Sequence, residues 1–327
     1  MLVSIIIPTY KRLGYLQEAL ESVARQTYTE FECLVVNDFP PMRAEIDALV
    51  AGVGDARIRV IHHEKNGGES QSRNTALKEV QGEIVALLDD DDVWFDTYLE
   101  AVVRCHREHP QAGLVYAGYI QFWDNKVLGA KVYPAQQPPA DLRKALLQGR
   151  FVLASSSIVS LKKEAFDRCG NFDTGLPSFA DWDMWLRISE FYGWAAITEP
   201  LVYYRHHLGD RGSTNIEKRM IGIQHISKKW SKYPDFEVYR RTMRVSAYFN
   251  EIRTLVLQKN YSKGWQLLFD CIRTCKGEVL TNFSLFAFAL GLLLMGPLYP
   301  RFQKRKNEAP ELVGSLADSR KPVQAHI

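Results

Sequence analysis

Ile84-Val85-Ala86-Leu87-Leu88-Asp89-Asp90-Asp91-Asp92 sets five apolar side chains directly against four carboxylates. A short apolar run bounded by polar residues reads as a buried strand. Four adjacent carboxylates at its end repel one another, and that repulsion is relieved when a divalent cation lies among them. The stretch therefore predicts a bound metal and, through the metal, a phosphate. The alternative for an acidic run is a surface turn that caps the following helix through the helix's partial positive charge.

On either side of this strand the pattern alternates. Residues 3–8 form a second short apolar run, and 13–26 carry apolar side chains at 13, 16, 20 and 23, the period of a helix with one buried face. Strands at 32–36, 57–62, 83–88 and 114–119 then alternate with helices near 43–50, 69–80 and 96–108. Such alternation predicts an α/β fold, a Rossmann-like and mainly parallel sheet with helices on both faces. Ligands of such sheets bind beyond the carboxyl ends of the strands. The residues found there are polar: Thr9-Tyr10-Lys11-Arg12, Asn37-Asp38, Glu64-Lys65-Asn66-Gly67-Gly68 and the aspartates.

The chain has 327 residues, 46% hydrophobic and 24% charged, enough for one large domain and a smaller addition. A net charge of +3 without basic stripes argues against nucleic acid as a partner. Cys33, Cys105, Cys169, Cys271 and Cys275 are odd in number and scattered, which suits a reducing compartment. Cys271 and Cys275 have helical spacing but no His or Cys beside them, so they read as helix-face residues rather than a metal site. Met1-Leu2-Val3-Ser4 runs straight into the first strand, which predicts a protein retained in the cytoplasm.

Residues 124–139 read as a proline-rich loop, after which regularity returns at 156–160 and 163–168. The sequence beyond 215 turns helical, with long stretches at 236–257 and 262–273. Residues 283–299 are apolar and uncharged, and Arg301, Lys304, Arg305 and Lys306 follow. The apolar run is shorter than a spanning helix needs and ends in Gly296-Pro297. It predicts a helix lying in the plane of the cytoplasmic membrane face, with a core helix packed on the main domain as the alternative. The division is thus 1–215 as catalytic domain, 216–306 as helical extension and 307–327 as a flexible tail.

Five pieces stand in register: Val3-Ser4-Ile5-Ile6-Ile7-Pro8-Thr9-Tyr10, Val35-Val36-Asn37-Asp38, Asn66-Gly67-Gly68 with Arg73-Asn74, Leu87-Leu88-Asp89-Asp90-Asp91-Asp92-Val93-Trp94, and Asp181-Trp182-Asp183 with Trp185-Leu186-Arg187. In this order and spacing the chain resembles glycosyltransferase family 2, nucleotide-sugar-dependent enzymes of GT-A fold. The likeness covers roughly residues 3–207. It implies donor contacts from Pro8, Thr9, Tyr10, Asp38, Gly68 and Arg73, with Asp38 accepting from uracil N3-H. It places Asp89 and Asp91 at the outer positions of the DXD motif: Asp91 on Mg²⁺ or Mn²⁺, and Asp89 or Asp90 near the ribose or a metal-bound water. Asp92 then remains to cap the next helix.

By the same likeness Asp181 is the general base of an inverting transfer, and Asp183 two residues on would raise its proton affinity. Trp182 and Trp185 read either as an acceptor platform or as core, and Arg187 as the partner of a carboxylate. Tyr204-Arg205-His206-His207 resembles the family's R-x-H element and assigns His207 to metal or diphosphate. Residues 209–214 read as a loop closing over the donor, with Arg211 reaching phosphate. The pattern departs at Asn37, at Phe39-Pro40 and at Ala180, where the family carries an acid, Gly-Ser and an acid.

The resulting expectation is a metal-dependent, inverting transferase. The expected donor is a UDP-sugar, and the expected acceptor a glycan or lipid-linked molecule in cell-surface polysaccharide or glycolipid synthesis. Two other classes stay open, a sugar-1-phosphate nucleotidyltransferase and a non-catalytic, membrane-docked nucleotide-sugar-binding module. The lack of a Gly-rich loop after the first strand weighs against the former.

Overall fold

A computed structural model describes residues 1–123, 131–207 and 215–295. The chain runs β1 (Val3–Thr9), α1 (Leu13–Ala24), β2 (Phe31–Asn37), α2 (Arg43–Val53), β3 (Ile58–His62), α3 (Glu69–Leu77), β4 (Ile84–Leu87), β5 (Val93–Trp94) and α4 (Tyr98–Glu108). There follow β6 (Ala112–Trp123), β7 (Lys131–Tyr133), α5 (Leu142–Leu147), β8 (Val159–Lys162), α6 (Lys163–Cys169), α7 (Ala180–Ile188) and β9 (Gly193–His206). Five helices follow: α8 (Ile216–Trp230), α9 (Phe236–Leu257), α10 (Tyr261–Thr274), α11 (Lys276–Thr281) and α12 (Phe283–Met295).

The strands form one mixed sheet in the order β3-β2-β1-β4-β8-β6-β9-β5, with β7 paired to β6. Every residue of β1 is buried, as in a strand covered on both faces. Strands β3, β2, β1 and β4 are parallel, and their register sets Thr9 beside Asn37 and Ile6 beside Leu87. Strand β8 runs against β4, β6 runs against β8, and β9 runs parallel to β6. Two reversals bring β9 back to the direction of β4, so the end of β9 reaches the rim where the aspartates emerge.

Local pattern and tertiary context disagree at one helix. The spacing predicts a helix from 96, but α4 begins at Tyr98. Its start is fixed from a distance, since the buried Gln26 side chain accepts from Leu99 N–H and donates to Phe95 C=O. Strand β6 is longer than the predicted 114–119 because it pairs along its length with β9.

The carboxyl-terminal part is helical. A cluster of Ile252, Val256, Leu268, Ala289, Leu292 and Leu293 joins α9, α10 and α12. Helix α12 thus packs partly on its neighbours while Phe283, Phe288 and Leu294 stay exposed. Its 13 residues extend about 20 Å, short of the roughly 30 Å hydrocarbon layer. Among the described residues no helix is long and apolar enough to cross a membrane. Residues 296–327, which include the basic cluster and the expected tail, lie outside the described residues, as do 208–214, where Arg211 and the loop expected at 209–214 fall. All five cysteines are free thiols, and Cys271 and Cys275 are buried as helix-face residues.

Candidate active site

The turn from β4 into β5 closes with Asp92 N–H donating to Asp89 C=O, which points the four carboxylates in different directions. Asp89 accepts from Arg73 at 2.8 Å. Asp90 accepts from Thr9 Oγ1 at 2.8 Å and Arg12 Nη1 at 2.9 Å, with Tyr10 N at 3.4 Å. Asp91 Oδ2 lies 3.0 Å from Arg12 Nη1 and 2.9 Å from His207 Nε2. Burial is the main force pushing the Asp90 carboxyl up to about 7, against the pull of Arg12.

Asp92 does not cap a helix. It is fully buried and accepts from Arg205 N–H at 2.9 Å and Ser155 Oγ at 3.0 Å, while Thr97 stands at the N-cap of α4. The reason is β9, whose Arg205 N–H is directed at the Asp92 side chain across 113 residues of sequence. Burial pushes the Asp92 carboxyl well above the usual range, and Asp91 and Asp89 add to the effect.

At the neighbouring strand end, Asp38 is buried just beyond β2. It accepts from Gly67 N–H at 2.7 Å and Gly68 N–H at 2.8 Å, and its Oδ1 lies 2.8 Å from His63 Nδ1. These contacts leave one acceptor direction on Oδ2 for a ligand. Gly68 sits at φ +82°, a conformation that side chains disfavour, and the loop folds back onto the carboxylate there. At the mouth, Tyr10 is 41% exposed and packs edge-on against Phe39 at 5.4 Å, with Lys11 Nζ over both rings. Pro8 is buried within β1, paired with Val36.

Arg73 is only 2% exposed and its Nη2 is shared by Asp89 and, at 2.5 Å, by Glu69. Burial by itself would weaken its charge, but Glu69, Asp89 and Asp181 outweigh burial and raise its pKa. Asp181 also adds to the upward shift of Asp89, whose first cause is burial. The field of Asp181 reaches Arg219 of α8 and Tyr239 of α9 as well. Asp181 therefore lies within electrostatic reach of Arg73 and Asp89 on one side and of Arg219 and Tyr239 on the other.

Phe179 presents Asp181 from φ +67°, a costly backbone state for an aromatic residue, and Asp181 Oδ1 accepts from Trp182 N–H at 2.7 Å in the first turn of α7. Asp183 does not serve Asp181 as its spacing predicts. Its oxygens are held by Arg187, Lys229 and Trp230 Nε1, each at 2.9 Å. The helical turn carries it to the inner face of α7. Arg187 is the carboxylate partner expected of it, and Trp182 and Trp185 are buried core rather than an open platform.

Among the described residues no three His, Cys, Asp or Glu side chains form a cluster able to hold a metal. The pair Asp91 and His207 nevertheless fits one. Adjacent ligands on an octahedral ion with bonds near 2.1 Å stand about 3 Å apart, which is the separation of Asp91 Oδ2 and His207 Nε2. Such ions commonly take one or two protein ligands and complete their shell with phosphate and water.

Several participants lacked an assigned role in the sequence: Arg12, Glu69, Ser155, His63, Arg219 and Tyr239. Arg12 was at least visible in the polar rim, whereas Ser155 and Tyr239 carry no local signal at all.

The sequence profile described as glycosyl transferase family 2 matches residues 4–170. The chain belongs to this family and is a glycosyltransferase with a GT-A fold. A putative colanic acid biosynthesis glycosyl transferase, WcaA of Escherichia coli, is 26% identical over 288 residues, 86% of this chain and 96% of that protein. An uncharacterized glycosyltransferase of Haemophilus influenzae is 25% identical over 72% of this chain and 81% of its own length. Among solved structures, S. aureus TarS 1-349 in complex with UDP-GlcNAc superposes with a TM-score of 0.58 at 17% identity, covering 94% of this chain and 92% of that one. A mannosyltransferase from Pyrobaculum calidifontis in complex with GDP-Man and Mn²⁺ gives 0.53 at 18% identity, covering 92% and 87%.

Proposed function

We propose that the protein transfers a sugar from a UDP-linked donor to an acceptor hydroxyl with inversion, in cell-surface polysaccharide or glycolipid synthesis. This reading is supported by the electrostatic coupling of Asp181, whose Oδ1 accepts from Trp182 N–H, to Arg73 and Asp89. Thr9, Tyr10, Asp38 and Gly68 hold the nucleoside, with Pro8 shaping the strand end behind them. Arg73 binds the diphosphate side, and Asp89 and Asp90 orient the ribose. Asp91 and His207 would hold Mg²⁺ or Mn²⁺, which when bound would supply positive charge to the leaving diphosphate.

Asp181 takes the proton from the acceptor hydroxyl as its oxygen attacks the anomeric carbon from the face opposite the diphosphate. The bond to the diphosphate breaks as the new glycosidic bond forms, the proton stays on Asp181, and no covalent intermediate arises. Residues 1–215 act as the catalytic unit. The helices beyond it wall the acceptor side through Arg219 and Tyr239. The exposed Phe283, Phe288 and Leu294, with the basic residues that follow in sequence, favour peripheral docking on the cytoplasmic membrane face and a lipid-linked or glycan acceptor.

Asp181→Asn is the direct test. UDP affinity measured by calorimetry stays near the wild-type value while turnover falls by about 10²-fold or more. Unchanged turnover would place the base elsewhere, and a product whose anomeric proton coupling matches that of the donor would exclude inversion.

A further inference from the structure

Asp91 Oδ2 carries two neighbours at once, Arg12 Nη1 at 3.0 Å and His207 Nε2 at 2.9 Å. A carboxylate oxygen has two in-plane lone-pair directions, so a cation that binds this oxygen must take the place of one neighbour or deprotonate it. The two differ in freedom. His207 has a side chain only 5% exposed, packed on the Tyr15 ring at 5.1 Å. In its other tautomer the same Nε2 becomes an acceptor and turns from donor into ligand without moving.

Arg12 has a long side chain, 26% exposed, on the connection between β1 and α1. It holds Asp90 Oδ1 at 2.9 Å and Asp91 Oδ2 with a single Nη1, and the neighbouring Lys11 sits at φ +60°. Burial weakens its charge, but Asp90 and Asp91 outweigh burial and keep it strongly cationic. A guanidinium leaves one anion readily only when another takes it up, and the two-pronged geometry of a diphosphate suits it well.

We propose that Arg12 is a built-in counter-cation of the donor site, which occupies Asp91 in the free protein and passes to the donor diphosphate when Asp91 takes up a divalent ion. The proposal rests on the reading of Asp91 and His207 as the metal pair. Arg12 thereby lowers metal affinity in the empty protein and links ion and sugar nucleotide, since whatever draws Arg12 from Asp91 favours the ion. Asp90 keeps its bonds from Thr9 and Tyr10 through the exchange, so the turn does not collapse.

Manganese binding, followed by the electron paramagnetic resonance of free Mn²⁺, tests this without turnover. Wild type, Arg12→Gln and Arg12→Lys are titrated alone and with UDP. Without nucleotide, Arg12→Gln should bind Mn²⁺ about tenfold or more tightly than wild type, with Arg12→Lys between them. The gain in Mn²⁺ affinity on adding UDP should shrink in Arg12→Gln. If wild type binds Mn²⁺ with UDP but neither variant binds it more tightly alone, the role of Arg12 is wrong and the metal pair stands. If wild type fails to bind Mn²⁺ even with UDP, the metal pair itself is wrong and the proposal falls with it. Circular dichroism and thermal unfolding of the variants establish that each is folded, and Arg12→Lys, which keeps the charge, carries the comparison should the Gln variant unfold.

Discussion

Replacing Arg205 by Met should cost about 3 kcal/mol of stability and loosen the turn that carries Asp91 and Asp92. Arg205 is buried and ties three parts of the molecule together. Its Nε donates to Asp91 C=O at 2.8 Å, its Nη2 donates to Glu18 at 2.5 Å, and its guanidinium lies between the Tyr15 and Phe122 rings at 4.9 and 4.8 Å. Losing the bond to Asp91 C=O leaves a buried acceptor unsatisfied, worth about 1–3 kcal/mol. Glu18 is 37% exposed and regains water, so that arm contributes below about 1 kcal/mol. The two ring contacts add about 0.5–1 kcal/mol each, partly kept by the methionine stem. Arg205 N–H still serves Asp92, because a backbone group survives the substitution. Urea unfolding followed by fluorescence, with slopes compared to establish a common unfolded state, measures the loss. A loss under about 1 kcal/mol would refute the clamp. Glu18→Gln in the same background should add almost nothing, since its arm is already gone.

Other expected outcomes follow from the same contacts. A Cβ at Gly222 would stand 2.8 Å from Ser178 C=O and 3.3 Å from the Phe179 ring, so Gly222→Ala pushes on the turn that presents Asp181. It should lower kcat several-fold with little change in UDP affinity by calorimetry, at a stability cost of about 1–3 kcal/mol. His106 is buried with Nε2 near Ser160 Oγ, and burial, helped by Lys162, pulls its pKa down to about 3. The unfolded chain therefore binds a proton that the folded one refuses. The stability this represents is fully present above about pH 6.5 and lost as pH falls toward 3. His106→Leu should flatten that acid limb in urea titrations run between pH 7 and 4. Asp38→Asn removes the charge and one of the two oxygens that accept from Gly67 N–H and Gly68 N–H; UDP affinity by calorimetry should fall about tenfold or more, and an unchanged affinity would detach Asp38 from the nucleoside.

Much of the polar rim was legible along the chain because its pieces are local. Each lies at the end of an apolar run, and parallel strands necessarily align such ends on one rim, so Thr9, Asn37-Asp38 and the aspartates meet by topology alone. Asp181 was singled out only through likeness to a family pattern, since no local signal in the sequence separates it from the buried Asp183. The different surroundings of those two carboxylates depend on which face of α7 meets Lys229 and Trp230, contacts that span more than 40 residues.

Period, polarity and register within the sequence determined that this is a layered α/β chain with a polar, acidic rim and a helical end. Tertiary structure alone decided which charge answers which. Arg12 meets Asp91 across 79 residues, His207 meets it across 116, and Arg205 reaches Asp92 across 113. Hydrophobic periodicity is written every few residues and survives in any window. Electrostatic pairing depends on distances of a few ångströms between segments that only folding brings together, and no local pattern encodes those distances.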